Sequence, residues 1–268
     1  MQVELADSLA LYNIVKAVKD VIQDFNISIS PAGMRVTQMD SSHVALVDVE
    51  LRAEGFDRFE VERPFTIGVN SATLDEFLKM GAKKDTSVAL SMSDITDNVL
   101  HMVFARHDGS RSSRCKIMLL EIECDALDIP TDVKDALVLT MPSSEFRDLI
   151  RGLSVVGDTF TIEARTQEQM TISTSGTKGS LDEDVCTLPG RITVCATEAF
   201  KVMLAARYLV MFVSCYNLAS EVTLRVDKEI PSRVCYTVNR RKGSDMEEDV
   251  TFANVNFWLA PKFEDSDS

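Results

Sequence analysis

Positive charge is scarce in this chain: 28 Lys and Arg stand against 42 Asp and Glu over 268 residues, a formal charge of −14. Phosphate binding rests on Lys and Arg, so the balance argues against nucleic acid unless cations are concentrated locally. Histidine is scarcer still, at three. No G-x-S-x-G, phosphate loop, H-E-x-x-H or G-x-G-x-x-G occurs. The six cysteines, at 115, 124, 186, 195, 215 and 235, form no C-x-x-C pair and lie mostly in apolar runs. Reduced core thiols are therefore expected, in place of zinc ligands or a disulfide frame, and no metal or cofactor is implied. Long hydrophobic runs are missing too. No apolar h-region opens the chain, and the most hydrophobic stretch, 200–219, is broken by Lys201, Arg207 and Asn217. The expectation is a soluble intracellular protein with no signal peptide or membrane span.

What is present is a 45% apolar composition, enough for one large core or two modest ones. Helical periodicity over short strands predicts an α+β protein with helices at 8–22, 71–80, 143–154 and about 197–214, each opened by a hydroxyl or acidic residue. In the first, Leu11, Ile14, Val15, Val18 and Ile22 make one apolar stripe. Segments such as "NISIS", "VALVDVELR", "NVLHMVFAR", "MTISTS", "EVTLRV" and "RVCYTVN" read as strands. The order strand, helix, about three strands occurs four times, which implies an internal duplication. The expected division is a domain over 1–118, a connector over 119–136, acidic and carrying Pro130, and a second domain over 137–268. Leu127 and Ile129 are out of place in a plain linker.

The cations are not spread evenly. The four helical segments, the second taken with its trailing lysines to 84, sum to +3 in a chain of −14. Lys16, Lys19, Lys79, Lys83, Lys84, Arg147, Arg151, Lys201 and Arg207 either form ordinary solvated helix faces or share one face that meets a polyanion.

One stretch invites a catalytic reading. "MDSSHVALV", 39–47, sets an acid, two hydroxyls and an imidazole side by side. A hydrolase using Ser41 and His43 is the enzyme alternative, yet triad members come from separate elements, so consecutive residues are poor support for it. Asp40, Ser41 and Ser42 read instead as turn formers, and the protein is expected not to be an enzyme.

The blocks "MDSSHV" (39–44), "EGFD" (54–57), "GVN" (68–70), "MPSSEFRDLIRGLSVVGD" (141–158), "RYL" (207–209) and "LAPKFED" (259–265), in this order and spacing, resemble the eukaryotic-type DNA sliding clamps, the proliferating cell nuclear antigen family, over essentially the full length. The resemblance implies the DNA-clamp fold, with two similar domains each of two β-α-β-β-β units, helices lining the interior of a homotrimeric ring and sheets outside. It implies a processivity factor for DNA polymerase that encircles duplex DNA without reading sequence. It also implies a docking scaffold for the clamp loader and for replication and repair proteins, in the nucleus or, for a viral protein, the viral replication compartment. A checkpoint-type subunit of a mixed ring is the alternative within the fold. Membrane partners are not implied.

Carried onto this sequence, the family's basic channel positions are kept at Lys19, Lys79 and Arg151, with Arg111 near another; Lys16 and Arg147, nearby on the same helices, and Lys83 and Lys84 after the second helix complete the expected DNA-facing set. Tyr12, Asn13, Glu76, Asp148 and Ser214 stand where relatives often carry positive charge, so the hole is expected to be less positive than usual. The pocket for partner peptides is expected at Met39, His43, Val44, Leu46, Leu127, Ile129, Pro130, Ile230, Pro231, Trp258, Ala260, Pro261 and Phe263. Trp258 takes the place of a tyrosine and Phe263 that of a smaller aliphatic. Without the resemblance, Trp258 reads as a plain core aromatic ending the "VNFWL" strand. Subunit edges are expected at about 111–117 and 177–187, with Arg111, Arg114 and Lys116 facing Asp182, Glu183 and Asp184, and Thr177 and Leu181 on the same edge. The family's ubiquitin-accepting lysine falls at Arg165, which cannot accept ubiquitin; Lys178 is a possible substitute.

Overall fold

The computed structural model describes residues 1–93, 98–123, 127, 129, 134–227, 230–241 and 249–262, with the side chains of 165, 166, 241 and 249 left aside. Four strand–helix–strands units follow one another. The first is β1 (Gln2–Leu5), α1 (Ser8–Val18), β2 (Asp24–Ser30), β3 (Gly33–Met39) and β4 (Ala45–Arg52). After a short β5 (Arg58–Glu60) comes β6 (Phe65–Asn70), α2 (Ser71–Gly81), β7 (Thr86–Ser91), β8 (Val99–Arg106) and β9 (Ser112–Met118). The third is β10 (Leu137–Pro142), α3 (Ser143–Ser154), β11 (Thr159–Thr166), β12 (Gln169–Gly176) and β13 (Gly179–Cys186). A short β14 (Thr193–Ala196) precedes the fourth: β15 (Phe200–Ala205), α4 (Ala206–Phe212), β16 (Glu221–Val226), β17 (Ser232–Arg241) and β18 (Asp249–Leu259). The duplicated α+β order read from the sequence is the order of the fold.

Helix starts follow the capping chemistry. Asp7 accepts from the Leu9 amide at 3.0 Å, and the Asn70 carbonyl oxygen from the Thr73 amide at 3.0 Å, each satisfying a donor the first turn leaves free. Two helix ends differ from the sequence expectation. α1 stops at Val18, not at 22, because the amides of Val21 and Ile22 both return to the Val18 carbonyl, a turn that still buries Ile22. The fourth helix, expected over 197–214, begins only at Ala206 and continues as a 3-10 turn, Val213–Cys215. Phe200, Val202 and Leu204 alternate inward and pair with β11, so a strand wins the segment before it.

Contacts divide the chain into two compact units: Met1–Ser41, Val47–Leu127 and Thr237–Val255 in the first, and Ser42–Leu46, Asp128–Tyr236 and Asn256–Ser268 in the second. In the first unit one antiparallel sheet runs β5-β1-β7-β8-β9. A second runs β4-β3-β2-β6 beside the parts of β17 and β18 within Thr237–Val255. α1 packs against α2, and Leu11, Ile14, Val18, Leu74 and Leu78 turn inward to meet Phe25, Ile67, Leu90 and Met102.

In the second unit one sheet runs β13-β12-β11-β15 and another runs β14-β10-β16-β17-β18, the last two contributing 232–236 and 256–259. α3 packs against α4, burying Phe146, Ile150 and Leu153 with Tyr208, Leu209 and Phe212. β9 and β13 each lie at the edge of their sheet.

The cysteines divide differently from the sequence expectation. Cys215 is buried and Cys115 and Cys235 are half-buried, but Cys186 and Cys195 are exposed: Cys195 takes the outward position between buried Val194 and Ala196, and Cys186 ends β13 beside buried Val185. These five thiols are free; position 124 lies outside the described residues. Among the described residues no helix is long and apolar enough to cross a membrane.

Candidate functional site

The two helices of the first unit, with the residues just after them, carry five of the eight cations in question. On α1 Lys16 is exposed, and its neighbour Lys19 bonds Asp75 of α2 at 2.7 Å. That bond is the main cause of a raised Lys19 pKa; burial opposes it, and the charges of Asp75, Asp20 and Tyr12 add to it. A folded pKa above 10.5 means that the pair's stabilisation is fully present below that pH and fades as pH rises through the elevated value. The same pairing takes Lys19 out of the pool of free cations. Lys79, Lys83 and Lys84 are exposed and have no ion pair among the described residues, as is Arg111 in the turn before β9.

In the second unit, Arg151 is exposed near the end of α3. Arg147 is half-buried, bonds Asp148 at 2.7 Å and lies over the Tyr216 ring at 4.0 Å. Its charge is neutralised by its own neighbour. Of the non-basic positions named above, Glu76 and Asp148 are exposed while Tyr12, Asn13 and Ser214 are half-buried.

Nine of the thirteen pocket positions fall in the described part of the second unit. His43 and Val44 lead into β4 and Leu46 lies at its start, Ile129 comes from the connector, Ile230 and Pro231 precede β17, Trp258 lies near the end of β18, and Ala260 and Pro261 follow it. The Ala260 amide donates to the Val44 carbonyl at 3.0 Å, which continues the ladder past the end of β18. Val44, Leu46, Ile129, Ile230, Pro231, Ala260 and Pro261 are all half-buried, the state of an apolar surface that a partner could finish covering.

His43 is exposed and holds φ at 55°, a left-handed conformation uncommon for a residue with a Cβ. Asp40 is buried and Ser41 and Ser42 are exposed, in the turn that the sequence predicts. Met39 and Leu127, both half-buried, belong to the first unit; Pro130 and Phe263 lie outside the described residues.

Trp258 is 5% exposed and sits on the face of β18 opposite Phe257. Phe257 points into the core, stacked on Phe212, whereas Trp258 meets the Arg233 guanidinium, 4.8 Å from its ring centroid. Arg233 is a residue that sequence reasoning missed. It lies 25 positions before Trp258, and no motif joins the two. In register beside it on β16 is Arg225, bonded to Asp135 at 2.6 Å. Burial pushes the nearby Cys235 thiol up to about 11, so it stays protonated and is no nucleophile.

At the sheet edges, β9 presents Arg114, Lys116 and Met118, all exposed, and Met118 is 70% exposed. β13 presents Asp182 and Asp184 on one face and half-buried Leu181 with exposed Glu183 on the other; Thr177 lies in the turn before it. Asp184 accepts the Thr171 hydroxyl at 2.6 Å. Lys178 is exposed in the same turn as Thr177, and Arg165 lies in β11. Among the described residues no group of three or more His, Cys, Asp or Glu is placed to hold a metal ion.

Two family models match the chain. The N-terminal domain of proliferating cell nuclear antigen matches residues 1–127, and its C-terminal domain matches residues 128–245.

Proposed function

Because the chain belongs to the proliferating cell nuclear antigen family of DNA sliding clamps, we propose that three copies close head to tail into a ring around duplex DNA. The ring holds a DNA polymerase on its template and docks the clamp loader and other replication and repair proteins through short aromatic peptides. The observation that carries this reading beyond family membership is the segregation of charge: Lys16, Lys79, Lys83, Lys84 and Arg151 stand exposed, without ion pairs among the described residues, on or just after helices of a chain of −14.

The mechanism is topological. A closed ring cannot leave DNA without opening, so its contacts need not be tight; cations facing phosphates centre the duplex without reading bases and leave the ring free to slide. The acidic remainder of the surface repels DNA and confines it to the lined channel. No bond is made or broken, and Ser41 and His43 have no catalytic part. The site of action is wherever replication proceeds, the nucleus or a viral replication compartment. Modification by ubiquitin, if this clamp uses it, falls to another lysine than the family's, since Arg165 occupies that position, and Lys178 is the exposed candidate.

The test is the salt dependence of duplex binding. Each phosphate contact contributes about 0.9 to the slope of log affinity against log salt. Replacing Lys16, Lys79, Lys83 and Lys84 by Ala is expected to lower the slope by about 2 to 4 and to weaken binding equally on unrelated sequences. Asp75→Asn, which releases Lys19, is expected to steepen it. An unchanged slope in the quadruple variant would remove these helices from the DNA path.

A further inference from the structure

We propose that Arg233 and Trp258 form a receptor for a carboxylate on the docked peptide, so that this clamp selects clients carrying an acidic residue beside their aromatic anchors; the inference rests on the docking reading above. The indole Nε1 of Trp258 and the Nε of Arg233 are both buried, and neither has a hydrogen-bond partner among the described residues. They belong to side chains in direct contact, the guanidinium 4.8 Å from the ring centroid, and Trp258 is 95% buried by its 5% exposure. Indole and guanidinium are donors only, so what completes the pair is an acceptor. Leaving two such donors dry and unpaired is costly, which makes their coincidence at one spot informative.

Charge identifies the acceptor as an anion. Asp135, an acidic side chain beside this stretch of β16 and β17, is already bonded to Arg225 at 2.6 Å, and Arg225 is paired in register with Arg233. Among the described residues one cation of the two is therefore in an ion pair and Arg233 is in none. A carboxylate offers two oxygens to two donors, and bonds with an ionised partner on both sides are the strong ones.

The surroundings favour delivery by a peptide. Leu46, Ile230, Pro231 and Ala260 are half-buried apolar side chains on the segments around Trp258, and an aromatic anchor laid over them would exclude water and strengthen the bond beneath.

Trp258 is the only tryptophan in the chain, so its emission reports on the site directly. The probes are short peptides with glutamine and paired aromatics, in which a glutamate is moved through the positions flanking the aromatics, each compared with glutamine at the same place. Binding is followed by Trp258 emission and, for variants, by calorimetry. At one position glutamate is expected to bind ~10-fold or more tightly than glutamine. Arg233→Met should erase that preference while leaving the glutamine peptide's affinity within a few-fold, and Trp258→Phe should reduce it with the aromatic surface retained. Circular dichroism melts confirm that both variants fold. If the peptides bind but no position prefers glutamate, or if the preference survives both substitutions, the carboxylate receptor is overturned and docking stands. If no peptide binds, the docking reading falls and the receptor falls with it.

Discussion

An Arg114→Glu, Lys116→Glu protein is expected to sediment as a monomer at concentrations where the unmodified chain, assembling as proposed above, is expected to sediment as a trimer. The expectation follows from the two edges. β9 and β13 are both terminal strands of their sheets, so each leaves a row of backbone donors and acceptors that a second copy can complete. Such pairing is head to tail and closes when the rotation divides the circle.

Side chains then decide which edge meets which. Arg114 and Lys116 share one face of β9; Asp182 and Asp184 share one face of β13. Opposite charges across the joint favour assembly, and reversing two of them sets four like charges against each other, at a cost of several kcal/mol per joint. Asp182→Lys with Asp184→Lys should restore the trimer in the reversed protein, a rescue that misfolding would not allow. The unmodified ring should also loosen as salt rises toward about 1 M, where the screening length falls to about 3 Å. A trimer unchanged at that salt would mean that apolar contact, through exposed Met118 and half-buried Leu181, governs the joint. A chain that stays monomeric alone and assembles only with different partners would indicate a mixed ring.

The second large effect concerns two neighbours that should behave in opposite ways. Phe257→Ala is expected to destabilise the protein by about 3–5 kcal/mol, near the total stability of many domains, as read by a thermal or denaturant melt. Phe257 has no exposed surface, stacks on Phe212 with centroids 4.7 Å apart and meets Tyr236 edge-on at 6.4 Å. The Tyr236 hydroxyl donates to the Phe212 carbonyl at 3.2 Å, so the cavity would also loosen a buried hydrogen bond. One residue along the strand, Trp258→Phe should leave the melt within about 1.5 kcal/mol and alter peptide recognition instead. A shift of the strand by one residue would exchange the two outcomes, so the pair tests the register of β18 as well as the roles.

These two residues also show what the sequence revealed and what it hid. The alternation of "VNFWL" announces a strand, but not which of Phe257 and Trp258 faces the core. That depends on Phe212 arriving from α4 and Arg233 from β17. The duplicated order of strands and helices was legible, since period and caps are local properties: Asp7 and Asn70 cap where their residue types predict, and the expected span of α3 is its span in the fold.

The fourth helix was over-extended because 200–212 is apolar at both periods, and only pairing of Phe200–Ala205 with β11 resolves the ambiguity. The exposure of Cys186 and Cys195 was hidden for the same reason, strand-face assignment being a tertiary matter. Cation positions were readable by type, but the neutralisation of Lys19 by Asp75 and of Arg147 by Asp148 depends on rotamers and on helix packing. Pocket residues came from resemblance, and Arg233, which no motif marks, came from contact alone.

The protein should hold DNA because it surrounds it. The most direct measurement compares retention on duplexes identical in sequence and length but different in their ends. Protein is allowed to thread onto linear DNA, the ends are then blocked with a bulky group, and the amount retained after dilution into moderate salt is measured by crosslinking. Linear DNA blocked before the protein is added and a covalently closed circle serve as the two controls. Retention is expected on the duplex blocked after threading, with rapid loss when the ends stay open and no retention on either control. Equal retention on all four would contradict encirclement, since a protein held by surface contacts alone is indifferent to whether the DNA has an end.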